Sequence, residues 1–184
     1  MGEMPIVCER PAASRRDAAR FSALVQRHYA RVYDYLCWLT RDPTIAEDLT
    51  QETFARVWQS PPDWRRRNAS RAWVMKVALN EFRQHARQRG VEVDSATGSD
   101  LPTEPALSPP AVAERAELGQ IVRVAVLSLP FHLREVVVLS KLEGLTLREV
   151  AEMLEIPLGT VKSRLAKAFT LLREALREWE EEDR

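Results

Sequence analysis

Cysteine, histidine and glycine are scarce in this chain, and each scarcity argues against a class of protein. Its 184 residues include two cysteines, three histidines and six glycines. Cys8 and Cys37 lie far apart without ligand-like neighbours, so no zinc or redox motif is expected, and Cys37 is predicted in a helical core face. No metal-ligand spacing, glycine-rich phosphate loop, nucleophile elbow or paired-carboxylate motif is present. We therefore expect no enzyme activity, no cofactor and no metal site.

Long apolar runs and a net charge are also lacking. No run approaches the ~18 apolar residues of a membrane span, and no signal peptide is recognisable, so a cytoplasmic protein is expected. The formal net charge is zero, which predicts no partner by itself. The distribution is more informative, because residues 65–89 are basic around a single acid, Glu81, whereas 91–117 and 178–183 are acidic. Separate charged zones are typical of proteins that meet nucleic acid with selected faces.

Apolar residues recur at helical spacing along most of the chain, whereas strand-like alternation is hard to find. Segments rich in proline, glycine and polar residues separate the helices into two groups. The predicted fold is all-α, with two small helical domains joined by a flexible linker. The predicted boundaries are a mobile N-terminus at 1–16, a first domain at 17–89, an acidic Pro-rich linker at 90–112 and a second domain at 113–184.

Local end signals predict where the helices begin and end. Thr44 and Glu47 have capping-box spacing, and Pro130 suits the first position of a helix. Asn68 or Ser70 is a candidate cap for the last helix of the first domain. Outside the C-terminal motif described next, helices are predicted at 17–38, 44–58, from Asn68 or Ser70 to 89, at 111–127 and at 131–142.

Residues 144–167 carry the strongest functional signal. Thr146 and Glu149 form a second predicted capping box. Pro157 cannot continue the helix that this box opens, and a new helix is expected from about Leu158. The side of the new helix opposite its apolar stripe carries basic and hydroxyl groups, namely Lys162, Ser163, Lys167, Thr170 and Arg173. This is the pattern of a helix-turn-helix that inserts its second helix into the DNA major groove.

Four segments, in this order, resemble the extracytoplasmic function sigma factors, the compact two-domain initiation factors of bacterial RNA polymerase. They are residues 46–58, 64–80, 129–136 and 144–164. The first resembles the family's polymerase-binding helix, the second its −10 element loop and helix, and the last two its −35 binding domain. The resemblance implies an initiation factor that binds core RNA polymerase and promoter DNA, and that has an anti-sigma factor as a common further partner.

The polymerase contact is predicted on the second helix of the first domain. Asp48, Gln51, Glu52 and Arg56 recur about one helical turn apart, so they are expected to share one exposed face. Carboxylates and amides beside apolar groups suit docking on a basic coiled coil. The resemblance implies that this partner is the clamp helices of the largest polymerase subunit.

The basic segment after Trp64 is predicted to capture an unpaired strand of the −10 element. Capture requires cations for phosphates, surfaces for stacking and amides for base edges. Two roles are considered for Trp73, an anchor in the core or a platform for base stacking, and the core role is favoured. Three consecutive arginines also depart from many relatives, which often carry small or acidic residues there. The assigned residues are Arg65, Arg66, Arg67, Asn68, Arg71, Lys76, Asn80 and Arg83.

The −35 contacts are predicted in the second domain. The assigned residues are Thr146, Arg148, Lys162, Ser163, Arg164 and Lys167. Lys162, Ser163 and Lys167 are expected to reach base edges, while Arg164 is expected to contact phosphate or pack its stem. Thr146 and Arg148 lie at a helix start, where backbone phosphate is favoured.

Two interpretations remain for the linker acids, and a second function remains possible for the chain. Glu92, Asp94, Asp100 and Glu104 either mimic nucleic acid in a basic polymerase channel or serve as a solubilising spacer. The alternative function is a helix-turn-helix transcriptional regulator that does not act as a sigma factor. It would require an N-terminal α/β receiver or ligand-binding domain, which the sequence does not indicate. A nucleic-acid enzyme with an attached helix-turn-helix is disfavoured because no catalytic constellation is visible.

Overall fold

The computed structural model describes residues 15–60, 71–90 and 115–182, and these ranges are helical, without a β-strand. Three helices form a first unit and four form a second, with a π-helical turn continuing α5. This arrangement confirms the all-α expectation. The elements are α1 (Arg15–Thr40), α2 (Pro43–Gln59), α3 (Arg71–Gln88), α4 (Arg115–Ser128), α5 (Phe131–Val137), the π-helical turn (Val138–Leu142), α6 (Leu147–Leu154) and α7 (Leu158–Glu182).

The start of α2 corrects the predicted Thr44/Glu47 capping box. Asp42 is the N-cap, and its Oδ1 accepts hydrogen bonds from the backbone amides of Thr44 at 2.8 Å and Ile45 at 3.2 Å. Pro43 is the reason for the earlier start, because its fixed φ and missing amide hydrogen suit the first helical position. With proline there, the aspartate before it is the residue placed to accept the free amides.

The helix predicted at 131–142 is divided in the structure. α5 ends at Val137, and Val138–Leu142 form a wider, π-helical turn. Pro130 lies at the N-cap rather than at the first helical position. The Ser140 hydroxyl donates to the carbonyl of Val136 at 2.6 Å, a local bond that competes with regular helical pairing.

The helix-turn-helix has the predicted local structure. Thr146 caps α6, its backbone amide donates to Glu149 Oε2 at 2.8 Å, and the amide of Glu149 donates back to Thr146 Oγ1 at 3.3 Å. The hydrogen bonds that the amide and the hydroxyl of Thr146 donate to the Glu149 carboxylate lower the pKa of Glu149. α6 ends at Leu154, and its C-cap residue Glu155 adopts a left-handed conformation with φ of 59°, two residues before Pro157. α7 then begins at Leu158, as expected.

The two units share one apolar core. Buried side chains of α1 and α3 join those of α5, α6 and α7 in a single cluster. Cys37 is 8% exposed within it, which confirms its predicted core position, whereas Cys8 lies outside the described residues. Phe82 of α3 stacks on Phe131 of α5 with ring centroids 5.6 Å apart, and both rings are buried. In this conformation the first unit therefore packs directly on the second.

Candidate nucleic-acid interface

The predicted polymerase-binding side of α2 is exposed. Its opposite side carries the buried residues Ala46, Leu49, Thr50, Thr53, Phe54 and Val57. The four assigned side chains, Asp48, Gln51, Glu52 and Arg56, all face solvent. The one-sided burial confirms that these four residues share a face, because an amphipathic helix presents its polar side away from the core.

Arg56 is held in place by a residue that the sequence did not assign. Its Nε donates to Glu81 Oε1 of α3 at 3.0 Å. The Arg56 side chain is half-exposed, whereas that of Glu81 is nearly buried. Glu81 is the single acid of the basic segment 65–89. That isolated position was the one feature of the sequence that could have indicated a role in an ion pair.

An apolar groove lies beside this polar face, between the first turns of α1 and the end of α2. Phe21 and Trp58 meet edge to face with centroids 4.8 Å apart, and Tyr29 stacks on Phe54 at 5.9 Å. Trp58 is partly buried. The α2 surface thus combines carboxylates and an amide with an accessible aromatic edge.

The cationic side of α3 faces the second unit. Arg71 Nη2 donates to the carbonyl of Gly144 at 2.9 Å. Lys76 Nζ lies 2.8 Å from Glu155 Oε1. Arg83 Nη2 lies 3.8 Å from Glu135 Oε2. Three of the four −10 residues assigned on this helix therefore contact the helix-turn-helix unit.

The remaining −10 residues divide into described and undescribed ones. Asn80 is exposed on α3. Trp73 is partly buried and packs against the core cluster, which favours the anchor interpretation. The loop residues Arg65, Arg66, Arg67 and Asn68 lie outside the described residues, and so do the candidate cap Ser70 and the linker acids Glu92, Asp94, Asp100 and Glu104.

Glu135 is the most deeply placed charge at the contact between the units. The residue is fully buried, and Arg164 Nη1 of α7 lies 3.5 Å from its Oε1. Burial raises the pKa of Glu135 to about 7, because desolvation outweighs the attraction of Arg83, Arg164 and Arg134. One carboxyl group thus lies between a cation of α3 and a cation of the recognition helix.

A second buried acid lies nearby, at the end of the π-helical turn. Glu143 is 7% exposed. Burial raises the pKa of its carboxyl group, while the positive charges of Arg31 and Arg71 act in the opposite direction. The sequence analysis assigned no role to Glu135, Glu143 or Glu155. The sequence gives little indication that these acids are buried. The one available clue is the charged pair Arg134–Glu135, which directly precedes an apolar run.

The predicted major-groove side of α7 is largely free. Lys162, Ser163 and Lys167 are exposed, whereas Arg164 turns inward with a side chain only 12% exposed. Packing of the Arg164 stem was one of its two predicted roles. Arg148 is exposed at the start of α6, but the Thr146 amide and hydroxyl are both engaged by Glu149 at 2.8 Å.

The described surfaces carry cations, carboxylates and amides beside an accessible aromatic edge. In the three described ranges, no group of three or more His, Cys, Asp or Glu side chains is arranged to hold a metal ion. No helix within the same ranges has the length and apolarity needed to span a membrane.

Comparisons with known proteins match both helical units. The Sigma-70 region 2 family matches residues 24–91, and the Sigma-70 region 4 family matches residues 119–172. The ECF RNA polymerase sigma factor SigL of Mycobacterium tuberculosis is 36% identical over 172 residues, covering 90% of this chain and 94% of SigL. SigE of Mycolicibacterium smegmatis is 35% identical over 155 residues, covering 83% of this chain but only 60% of the length of SigE.

Two solved structures share the fold. The sigma factor RpoE, solved in complex with the anti-sigma factor NepR from Bartonella quintana, has a TM-score of 0.70 at 24% identity, covering 85% of this chain and 96% of RpoE. CnrH, solved with the cytosolic domain of CnrY, has a TM-score of 0.62 at 24% identity, covering 91% of this chain and 92% of CnrH. At 24% identity, the similarity to these two structures supports the helical fold of this chain.

Proposed function

This chain belongs to the extracytoplasmic function sigma factors, and from that premise we propose that it binds core RNA polymerase, recognises −35 and −10 promoter elements and promotes DNA melting. The observation that carries the proposal is the pairing of two family-matching helical units in one chain, each with an exposed polar surface. We place its action in the cytoplasm, with the polymerase and the promoter, and assign it no catalytic step.

The α2 face is proposed to dock on the polymerase clamp helices. Asp48 and Glu52 supply negative charge, Gln51 supplies an amide, and Arg56 is oriented by its ion pair with Glu81. Complementary charge across an interface mainly sets orientation and association rate. The aromatic edge at Phe21 and Trp58 adds apolar area beside that polar surface.

The loop before α3, together with the cationic side of α3, is proposed to hold the displaced strand of the −10 element. Arg65, Arg66 and Arg67 would attract phosphates, and Asn68 and Asn80 would read unstacked base edges. Several phosphate contacts from one segment make affinity fall steeply with salt. Because the two asparagines would contact only unstacked bases, replacing both by alanine should impair strand opening more than initial promoter binding. Permanganate footprinting measures that opening.

The helix-turn-helix is proposed to place α7 in the major groove of the −35 element. Lys162, Ser163 and Lys167 are exposed on the side that faces away from the core. Lysine recognises guanine edges, and serine pairs with several bases. Arg148 is proposed to contact phosphate near the start of α6.

An anti-sigma factor is proposed as a regulatory partner. RpoE and CnrH, which share this fold, were solved with the anti-sigma factor NepR and with the cytosolic domain of CnrY, respectively. The apolar groove between α1 and α2 is a surface such a partner could cover.

Transcription by purified core RNA polymerase tests the function directly. Core enzyme with the full chain should initiate at discrete genomic sites that share two upstream elements, whereas core enzyme alone should not. A matched control is the chain with Asp48→Lys and Glu52→Lys, which retains both DNA surfaces. Specific DNA binding without any core-dependent transcripts would favour the helix-turn-helix regulator instead.

A further inference from the structure

A polar cleft lies between α2 and α3, beside the α2 face that is proposed to contact the polymerase. Its volume is about 380 Å³, at the low end of the range of about 300–1,000 Å³ for small-molecule sites. Such sites are mostly apolar, whereas every residue that lines this cleft except Ala55 is polar. Its size and walls therefore suit one long polar side chain better than a small organic ligand. The polar cleft includes Glu52 and Arg56 of α2 and Glu81, Gln84, His85 and Gln88 of α3.

The charge of the polar cleft favours a cation as its occupant. The carboxylates of Glu52 and Glu81 stand against one guanidinium, that of Arg56, which is already paired with Glu81 at 3.0 Å. Arg87, in the last turn of α3, does not line the cleft, and its Nε donates to a backbone carbonyl of its own helix. α3 ends at Gln88, and the C-terminus of a helix carries a partial negative charge. The lining therefore has a negative balance, which an incoming positive charge would offset.

Acceptor atoms of the polar cleft lack hydrogen bonds within the described residues. Glu81 is 8% exposed, and of its two oxygens only Oε1 is bonded there, to Arg56. His85 Nε2 is buried and has no hydrogen-bond partner in the same ranges. The side-chain amides of Gln84 and Gln88 are exposed at the rim. A guanidinium carries five N–H donors in a planar fork and can bond several acceptors at once, whereas an ammonium carries three donors at one point. An arginine side chain therefore fits the polar cleft better than a lysine.

The polar cleft is continuous with the proposed polymerase face of α2. Glu52 and Arg56 belong to both surfaces, and Asp48 lies one turn from Glu52 on the same side of α2. We propose that the cleft receives an arginine side chain of the polymerase helix that docks on α2, so that α3 also takes part in the polymerase contact. This inference rests on the proposed docking of α2 and adds a second helix to it. The Arg56–Glu81 pair then forms one wall of the cleft and leaves Glu81 Oε2 to the incoming guanidinium.

A charge change inside the polar cleft tests the sign of its occupant. Gln84→Lys places a cation in the cleft, and Gln26→Lys makes the same change at an exposed position of α1. Glutamine and lysine have similar helix propensities, so both helices should be retained. Fluorescence anisotropy of the labelled full chain with purified core polymerase should show severalfold weaker binding for Q84K than for Q26K, and Gln84→Glu should bind at least as tightly as wild type. Equal affinities for Q84K and Q26K, or equal losses for Q84K and Q84E, would overturn the proposal.

Photo-cross-linking identifies the occupant. With p-benzoylphenylalanine in place of Gln84, irradiation of the full chain bound to core polymerase should link position 84 to the largest subunit, and mass spectrometry should place the link beside an arginine. A link to another subunit, or none in the bound complex, would overturn the proposal. The chain with Asp48→Lys and Glu52→Lys reports on the α2 docking separately. If that chain binds core polymerase weakly while Q84K binds normally, the proposed docking stands and the role of the polar cleft alone is refuted.

Discussion

Replacing Glu135 by glutamine should stabilise the chain at neutral and alkaline pH while leaving its stability at pH 4.5 nearly unchanged. Glutamine resembles the protonated carboxyl group in size and carries no charge at any pH. The carboxyl group of Glu135 is fully buried and faces Arg83 of α3, Arg164 of α7, its neighbour Arg134 and, from α1, the hydroxyl of Tyr35.

The magnitude and sign follow from the pKa of Glu135. Its pKa rises from 4.5 to about 7 on burial, which corresponds to about 3 kcal/mol at about 1.4 kcal/mol for each pH unit. Between these two values the folded chain binds more protons than the unfolded chain. The free energy of unfolding therefore falls as pH rises: the contribution of Glu135 is fully present below about pH 4.5 and is lost as pH passes about 7.

Urea denaturation of the wild type and E135Q, followed by circular dichroism from pH 4.5 to 8.5, measures this contribution. The difference between the two proteins should grow from near zero to about 3 kcal/mol in favour of E135Q. Subtracting the variant also removes the opposite effect of His28, whose pKa is lowered mainly by burial and whose protonation destabilises the fold as pH falls. A variant that is less stable than wild type at pH 8.5 would refute the reasoning, because the arginine pairs would then outweigh burial.

Three further predictions concern the capping box and the two proposed contact surfaces. Thr146→Ala should lower the free energy of unfolding by about 1 kcal/mol in a denaturant titration, and an unchanged midpoint would show that the cap is dispensable. Asp48→Lys with Glu52→Lys should weaken binding to core polymerase with unchanged helicity, and unaltered affinity would exclude this face of α2 from the contact. Lys162→Ala or Lys167→Ala should reduce promoter affinity by about 1–3 kcal/mol and change sequence preference, whereas an equal loss on all sequences would indicate phosphate contacts.

The helix-turn-helix could be predicted from sequence because its signals are local. The Thr146/Glu149 box forms within four residues, and Pro157 acts through its own ring and missing amide hydrogen. Neither depends on what packs against the helix. The start of α2 shows the limit, since Asp42 and Thr44 are both good caps and only the position of Pro43 decides between them.

The contact between the units could not be predicted in this way. Its charged partners lie on different helices, far apart in sequence, and a glutamate on an amphipathic helix reads as solvent-exposed. Glu135 is instead fully buried, and Glu155 reaches Lys76 only because α6 packs beside α3. The sequence analysis assigned Arg71, Lys76 and Arg83 of α3 to DNA, because their partners in the second unit were not recognised.

The contact between the units combines a weak charged part with a stronger apolar part. The Lys76–Glu155 pair is largely exposed, and such a pair adds little to stability because water and salt screen it. Tethering compensates for this weakness, because a partner on the same chain acts at a raised effective concentration. The buried Phe82–Phe131 stack contributes more to the stability of the contact, and its contribution does not depend on the charge of the acids. The apolar part therefore contributes most of the stability of the contact, while the charged part determines which residues of α3 face which residues of the second unit.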